Sequence, residues 1–189
     1  MSEKNINYPQ YFREASQYGF QEYFEILGEL SQESTRKGQL TRLQKELITL
    51  GMALYKDCHR CIDIHTRDAV KLGADEKNKS QVNNAVLFMF AAPAADSILW
   101  DDWVKSWKKF SYSKKIDKHR LREMIALAIS VIKQDRAQID LHLHDGLAIG
   151  ISIEQVFEII PLVLLMDGAP TLSQIPALFK SYHAYLDAK

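Results

Sequence analysis

The 189-residue chain has only two cysteines, five prolines and eight glycines, and its 24 basic and 24 acidic residues cancel. Each shortage excludes something. Without a basic excess there is nothing to coat phosphates, so nucleic-acid binding is not expected. No apolar run approaches the roughly 18–20 residues of a membrane span, so no membrane partner is expected. The stretch from Met1 to Pro9 is polar and lacks the apolar core of a secretory leader, which points to a cytoplasmic protein. So few prolines and glycines leave little room for the many turns of an all-β fold. Two cysteines are too few for a secreted disulfide scaffold.

What the chain does have is helical periodicity. Phe20, Tyr23, Phe24 and Leu27 fit one helical face, which Gly28 is expected to close. Leu43, Leu47, Leu50 and Leu54 form another, entered through Thr41-x-x-Gln44, a capping box. Ile62, Ala69 and Val70 continue to Gly73, an expected C-cap, and Trp100, Trp103, Trp107 and Phe110 make an aromatic stripe on a later helix. No convincing alternating strand run occurs. The predicted class is all-α, in a single domain.

The chain also repeats itself. A shift of 77 positions places residues 46–98 on 123–175 without a gap and with 15 identities. Among them are Glu46/Glu123, His65/His142, Asp68/Asp145, Gly73/Gly150 and Pro93/Pro170. The identity is about 28%, where ordinary residue usage gives about 6% by chance. A shared amphipathic pattern would match apolar classes but would not keep Glu, His, Gly and Pro in register. An internal duplication follows: an N-terminal helical segment over 1–39, a first repeat over 40–99 and a second over 117–176.

The two copies differ at the cysteines. The first carries Cys58-His59-Arg60-Cys61; the second has Asp135 and Gln138 in their places. Asp135-x-x-Gln138 has the form of an N-cap followed by an N3 residue that reaches back, so Asp57 or Cys58 should begin a helix. On that helix, positions 58, 61 and 65 fall within about 60° of arc, and Cys61 and His65 are direct neighbours. A cysteine pair at this spacing suggests redox chemistry or half of a metal site, and free cysteine is also an ordinary core residue. A helix N-terminus, the imidazole and a second sulfur all favour the thiolate, the competent nucleophile, and His65 can serve as its base. Glu46 keeps the same distance from its histidine in both copies. On one unbroken helix it would lie ~18 Å from Cys58. A Glu–His–Cys relay therefore requires a break near Lys56-Asp57.

Glu46, eleven intervening residues, Cys58-x-x-Cys61-x-x-x-His65 and Gly73 together resemble the carboxymuconolactone decarboxylase superfamily, and more closely its alkylhydroperoxidase D-like branch. The resemblance is strong from about Leu40 to Pro93 and weaker through the second copy to Ala177. It implies an all-helical fold, a homotrimer or homohexamer, and thiol-dependent reduction of a hydroperoxide substrate. Cys61 would be the peroxidatic cysteine and Cys58 its resolving partner in a redox-active disulfide, with Glu46 and His65 as the proton relay. No bound cofactor or metal is implied; a thiol or lipoyl-type donor protein would supply an external dithiol. The chain departs from that branch at Arg60, where a relay His or Tyr often stands. Arg60 can stabilise a thiolate but cannot shuttle protons.

Two other readings use the same residues. One is a lactone-decarboxylating lyase working through Glu46 and His65, although such members generally lack the cysteine pair. The other is a non-catalytic, redox-sensing scaffold. In the second copy, Glu123 and His142 are expected to be a buried pair that orients helices. His142 and His144 should diverge, because a two-residue step on a helix is ~200°. The tryptophan stripe, Met89, Met166 and the apolar run 154–166 should be core or interface.

Overall fold

In a computed structural model, residues 6–189 are described; residues 1–5 of the polar N-terminal stretch lie outside them. Among the described residues the chain is helical throughout, in the order α1 (Tyr8–Ala15), α2 (Gln21–Thr35), α3 (Arg42–Tyr55), α4 (His59–Lys71), α5 (Glu76–Phe90), α6 (Trp100–Ser111), α7 (Ile116–Lys133), α8 (Arg136–Ala148), α9 (Ile153–Asp167) and α10 (Ile175–Asp187). None of these helices is long and apolar enough to cross a membrane.

The duplication governs both topology and local geometry. Helices α3, α4 and α5 correspond to α7, α8 and α9. Each hairpin turns on a non-glycine residue in the left-handed region, Asp57 at φ 53° and Gln134 at φ 54°. Each second helix ends at a glycine of positive φ, Gly73 at 97° and Gly150 at 85°. Such conformations are disfavoured for L side chains with a Cβ and are rarely adopted without cause. Their recurrence 77 residues apart marks the two halves as one unit used twice. Thr41 forms the expected capping box with Gln44, and Asp75 and Ser152 form boxes at the starts of α5 and α9.

Helices α3 and α7 pack against each other at the centre. Their buried residues include Leu47, Ile48, Leu50 and Met52 from one, and Met124, Ile125, Leu127 and Ile129 from the other. Gly51 permits this approach, since a Cβ there would stand 2.8 Å from Ile125 Cγ2. Trp103 and Trp107 are buried, and Val156, Ile159, Ile160, Leu162 and Val163 bury much of α9.

The face expected over Phe20–Leu27 behaves differently. Gly28 does not end the helix, because α2 continues to Thr35. Phe20, Tyr23 and Leu27 are at least half exposed. Gly28 has open space around it and no positive φ, so nothing at that position stops the helix. The chain instead kinks earlier, over Ser16–Phe20, where Gly19 takes φ 89°.

The segment after α2 is held by a buried cation. Lys45 Nζ donates to the carbonyls of Ser34 (3.0 Å) and Arg36 (2.7 Å) and pairs with Glu158 Oε2 at 3.0 Å. Glu158 also accepts from the backbone N–H groups of Gln39 and Leu40. Arg122, 77 positions after Lys45, does the same for α6 by donating to the carbonyls of Phe110 and Ser111. Burial pushes the Glu158 carboxyl up, but the Gln39 and Leu40 N–H groups and Lys45 outweigh it and hold it below the ordinary carboxylate range. A depressed carboxyl stabilises the fold above its unfolded value, about 4.3, and loses that contribution as pH falls through the native value. Urea unfolding of Glu158→Gln should therefore show a stability deficit that is full above about pH 5 and shrinks below pH 4. A deficit independent of pH would mean that the carboxylate charge contributes nothing.

Candidate active site

The first hairpin places the residues singled out by the spacing. Helix α3 ends at Tyr55; Cys58 N–H then donates to the Ala53 carbonyl at 3.0 Å while Asp57 turns the chain. Helix α4 starts at His59 and runs back along α3. This is the required break, and it falls where expected. As a result Glu46 and His65, 19 residues apart, meet with His65 Nδ1 2.7 Å from Glu46 Oε2. An ionised Glu46 accepts the Nδ1 proton, an arrangement that leaves Nε2 as the basic nitrogen of the ring. The pair is only partly sealed, with His65 20% and Glu46 6% exposed at the side chain.

Cys58 is the N-cap of α4, and its Sγ accepts the Cys61 N–H at 3.4 Å. Cys58 and Cys61 are joined by a disulfide. The sulfurs therefore sit at the positive end of a helix that carries the imidazole one turn further on, an environment that favours a thiolate once the bond is reduced. Among the described residues no three or more His, Cys, Asp or Glu side chains gather to hold a metal ion.

The second hairpin repeats the carboxylate–imidazole contact, with His142 Nδ1 2.9 Å from Glu123 Oε2. There the pair is closed off, both side chains being 1% exposed or less. Trp107 Nε1 donates to Glu123 Oε1 at 2.9 Å. The rings of Trp107 and Trp103 stand edge-on to the His142 ring at 4.9 and 6.1 Å. The tryptophan stripe is thus the cover of the second pair. His144 turns away from His142 and meets the Ser181 carbonyl at 2.9 Å. Asp135 caps α8 by accepting from the Gln138 N–H, but Gln138 does not reach back. Its side-chain amide is buried and has no hydrogen-bond partner among the described residues. It stands where Cys61 stands in the first copy and points inward, so the reciprocal half of a capping box does not form.

One feature of the site has no signal in the motif. The Arg60 guanidinium, inside the Cys58–Cys61 ring, lies over the rings of Tyr8 at 4.5 Å and Phe12 at 5.0 Å. Both rings belong to α1, some fifty residues earlier in the chain. An i, i+4 aromatic pair near the N-terminus is visible in the sequence, but its target is not.

Fold and hairpins together define a class: a duplicated all-helical protein in which one copy has a CxxC disulfide beside a carboxylate–imidazole pair. The chain belongs to the carboxymuconolactone decarboxylase family, whose model matches it twice, over residues 21–99 and 103–180. The first match begins with α2 and the second three residues into α6, so each takes in most or all of the helix that precedes its hairpin. No curated protein and no solved structure matches the chain.

Proposed function

We propose that the protein is a thiol-dependent hydroperoxide reductase of the alkylhydroperoxidase D type, with Cys61, Cys58, His65 and Glu46 as its working residues. The observation that carries this reading is the Glu46–His65 contact on the helix whose first turn holds the disulfide. Family membership is compatible with it. The partial exposure of His65, against full burial of His142, supports proton exchange with a substrate in the first copy alone.

An external dithiol first reduces the disulfide, leaving as a disulfide itself. His65 takes the Cys61 proton, and the thiolate attacks the distal oxygen of the hydroperoxide. The O–O bond breaks, and its electron pair leaves on the alkoxide, which takes the proton from His65 and departs as an alcohol. Cys61 is now a sulfenic acid. The Cys58 thiol gives its proton to His65 and attacks the Cys61 sulfur. Hydroxide is expelled and takes that proton, leaving water and the disulfide. The sum is one hydroperoxide and one dithiol converted to alcohol, water and oxidised donor. Glu46 holds the imidazole and balances its charge in each protonated state.

The same reading places the protein in the cytoplasm, gives it a thiol or lipoyl-type donor protein, and assembles it as a homotrimer or homohexamer. Apolar side chains such as Ile98, Leu99, Leu87 and Phe90 are exposed on the single chain and are available for such contacts.

Mass spectrometry of the reduced protein after one equivalent of hydroperoxide tests the chemistry. Native protein should close the 58–61 disulfide. Cys58→Ser should stop at a sulfenic acid on Cys61 that a dimedone probe captures, and Cys61→Ser should consume no peroxide. Thiols that survive the peroxide unchanged would remove the peroxidase reading.

A further inference from the structure

Helix α1 buries no residue, and a kink with Gly19 at φ 89° separates it from α2. Its aromatic face is nevertheless engaged. Phe12 meets Phe24 of α2 at 5.0 Å, and Tyr8 and Phe12 meet Arg60 of α4. Arg60 is no ordinary anchor, because it lies within the four-residue loop that the disulfide closes. Any rearrangement of that loop on reduction passes through the residue that fastens α1.

We propose that Arg60 is a positioning residue of the redox pair, held on the Tyr8 and Phe12 rings in the disulfide form and released to the thiolate when the disulfide is reduced. This rests on the redox reading above. A disulfide carries no charge, so in the oxidised protein the guanidinium finds its electrostatic partner in the negative faces of the two rings. Reduction by the external dithiol breaks the S–S bond, adds two electrons and leaves a thiolate one residue from Arg60. A full negative charge attracts a guanidinium more strongly than a ring quadrupole does. Arg60 must leave the rings to answer it. The aromatic clamp therefore favours the disulfide, and by linkage the disulfide favours a docked α1. The residue that stands where the branch often has a proton carrier thus acts as a movable charge under the control of the N-terminal helix.

The test is a redox titration of the full chain against a dithiol–disulfide buffer, together with the pH dependence of thiol alkylation in the reduced protein. Five proteins are compared: native, Tyr8→Leu/Phe12→Leu, Arg60→Gln, these three substitutions combined, and Tyr8→Phe/Phe12→Tyr. Asp57, His59 and the Glu46–His65 pair, with Tyr55, Lys56, Asp63, Asp68 and the other titratable groups of the hairpin, are unchanged in every variant. Loss of two half-exposed cation–π contacts should make the leucine variant about tenfold easier to reduce, a rise in potential of about 30 mV. Its alkylation profile should move to lower pH, and that of Arg60→Gln to higher pH than native. Added to Arg60→Gln, the leucines should have no further effect, whereas Tyr8→Phe/Phe12→Tyr, which keeps both rings beside Arg60, should behave as native. A merely structural clamp would not lower the thiol titration, nor would its effect vanish with the guanidinium.

Equal potentials and profiles in native and leucine variants overturn the proposal, and so does a leucine effect that persists in the combined variant. A motif that cannot be cycled between dithiol and disulfide in the native protein overturns the redox reading first, and the clamp with it. Far-UV circular dichroism of each variant checks that the helices are intact, and Arg60→Lys, which keeps the charge, supplies a second route should Arg60→Gln fail to fold.

Discussion

Glu46→Gln should lower kcat/KM for a hydroperoxide by about 10²–10³-fold, in the range expected when one member of a general acid–base pair is disabled. Glutamine matches the shape of glutamate and can still accept the His65 Nδ1 proton, so the 2.7 Å contact need not be lost. What disappears is the negative charge that, in the proposed mechanism, stabilises the imidazolium formed each time a thiol gives up its proton. The melting temperature should change little, because the buried glutamine keeps the hydrogen bond to a His65 that is itself partly exposed. Steady-state turnover with a saturating dithiol, recorded beside thermal unfolding, separates the two effects. Unchanged turnover would remove Glu46 from the relay, and an unfolded variant would make it a structural residue like its counterpart.

That counterpart should respond in the opposite way. Glu123→Ala strips the acceptor from both Trp107 Nε1 and His142 Nδ1 in a fully buried setting. Two interior donors are left without partners, and removing one member of a buried pair costs about 3–5 kcal/mol. Against a total stability of roughly 5–15 kcal/mol, that loss should lower the melting temperature by about 10 °C or more. Peroxide turnover per folded molecule, measured well below the melting transition, should stay near native. A stable but inactive Glu123→Ala would show that the second pair takes part in the chemistry. The two substitutions fall on corresponding glutamates of equivalent hairpins, so the contrast tests whether sealing by Trp103 and Trp107 has turned one copy from chemistry to support.

Much of this arrangement can be read from the chain before its structure. Thr41 and Gln44 announce the start of α3 through local chemistry, and the structure forms that box. The 77-residue register marks Glu46, His65, Gly73 and their counterparts, and a Glu46–His65 relay requires a break near Lys56-Asp57, where the chain does turn. These are short-range rules or self-comparisons, which need no knowledge of the third dimension. Gly28 misled because a glycine ends a helix only where the backbone must adopt positive φ, and residue type alone does not say whether it must. Gln138 misled because a buried position overrode its local option of reaching back to the N-cap. The Tyr8–Phe12–Arg60 contact was not legible at all. It depends on how a kinked helix falls back across the body of the fold, and no periodicity in either segment records that.

The packing of α3 against α7 makes the two halves depend on each other. Gly51 of one half lies against Ile125 of the other, so the apolar faces of the two central helices are each other's solvent shield. A lone copy would bare that face. Neither half can therefore complete its core alone, and a chain cut between α6 and α7 would have to bring its two pieces back together to hide that face. The half without thiols is thus a permanent chaperone for its sister, lending it a dry wall that no substitution at the cysteines can replace.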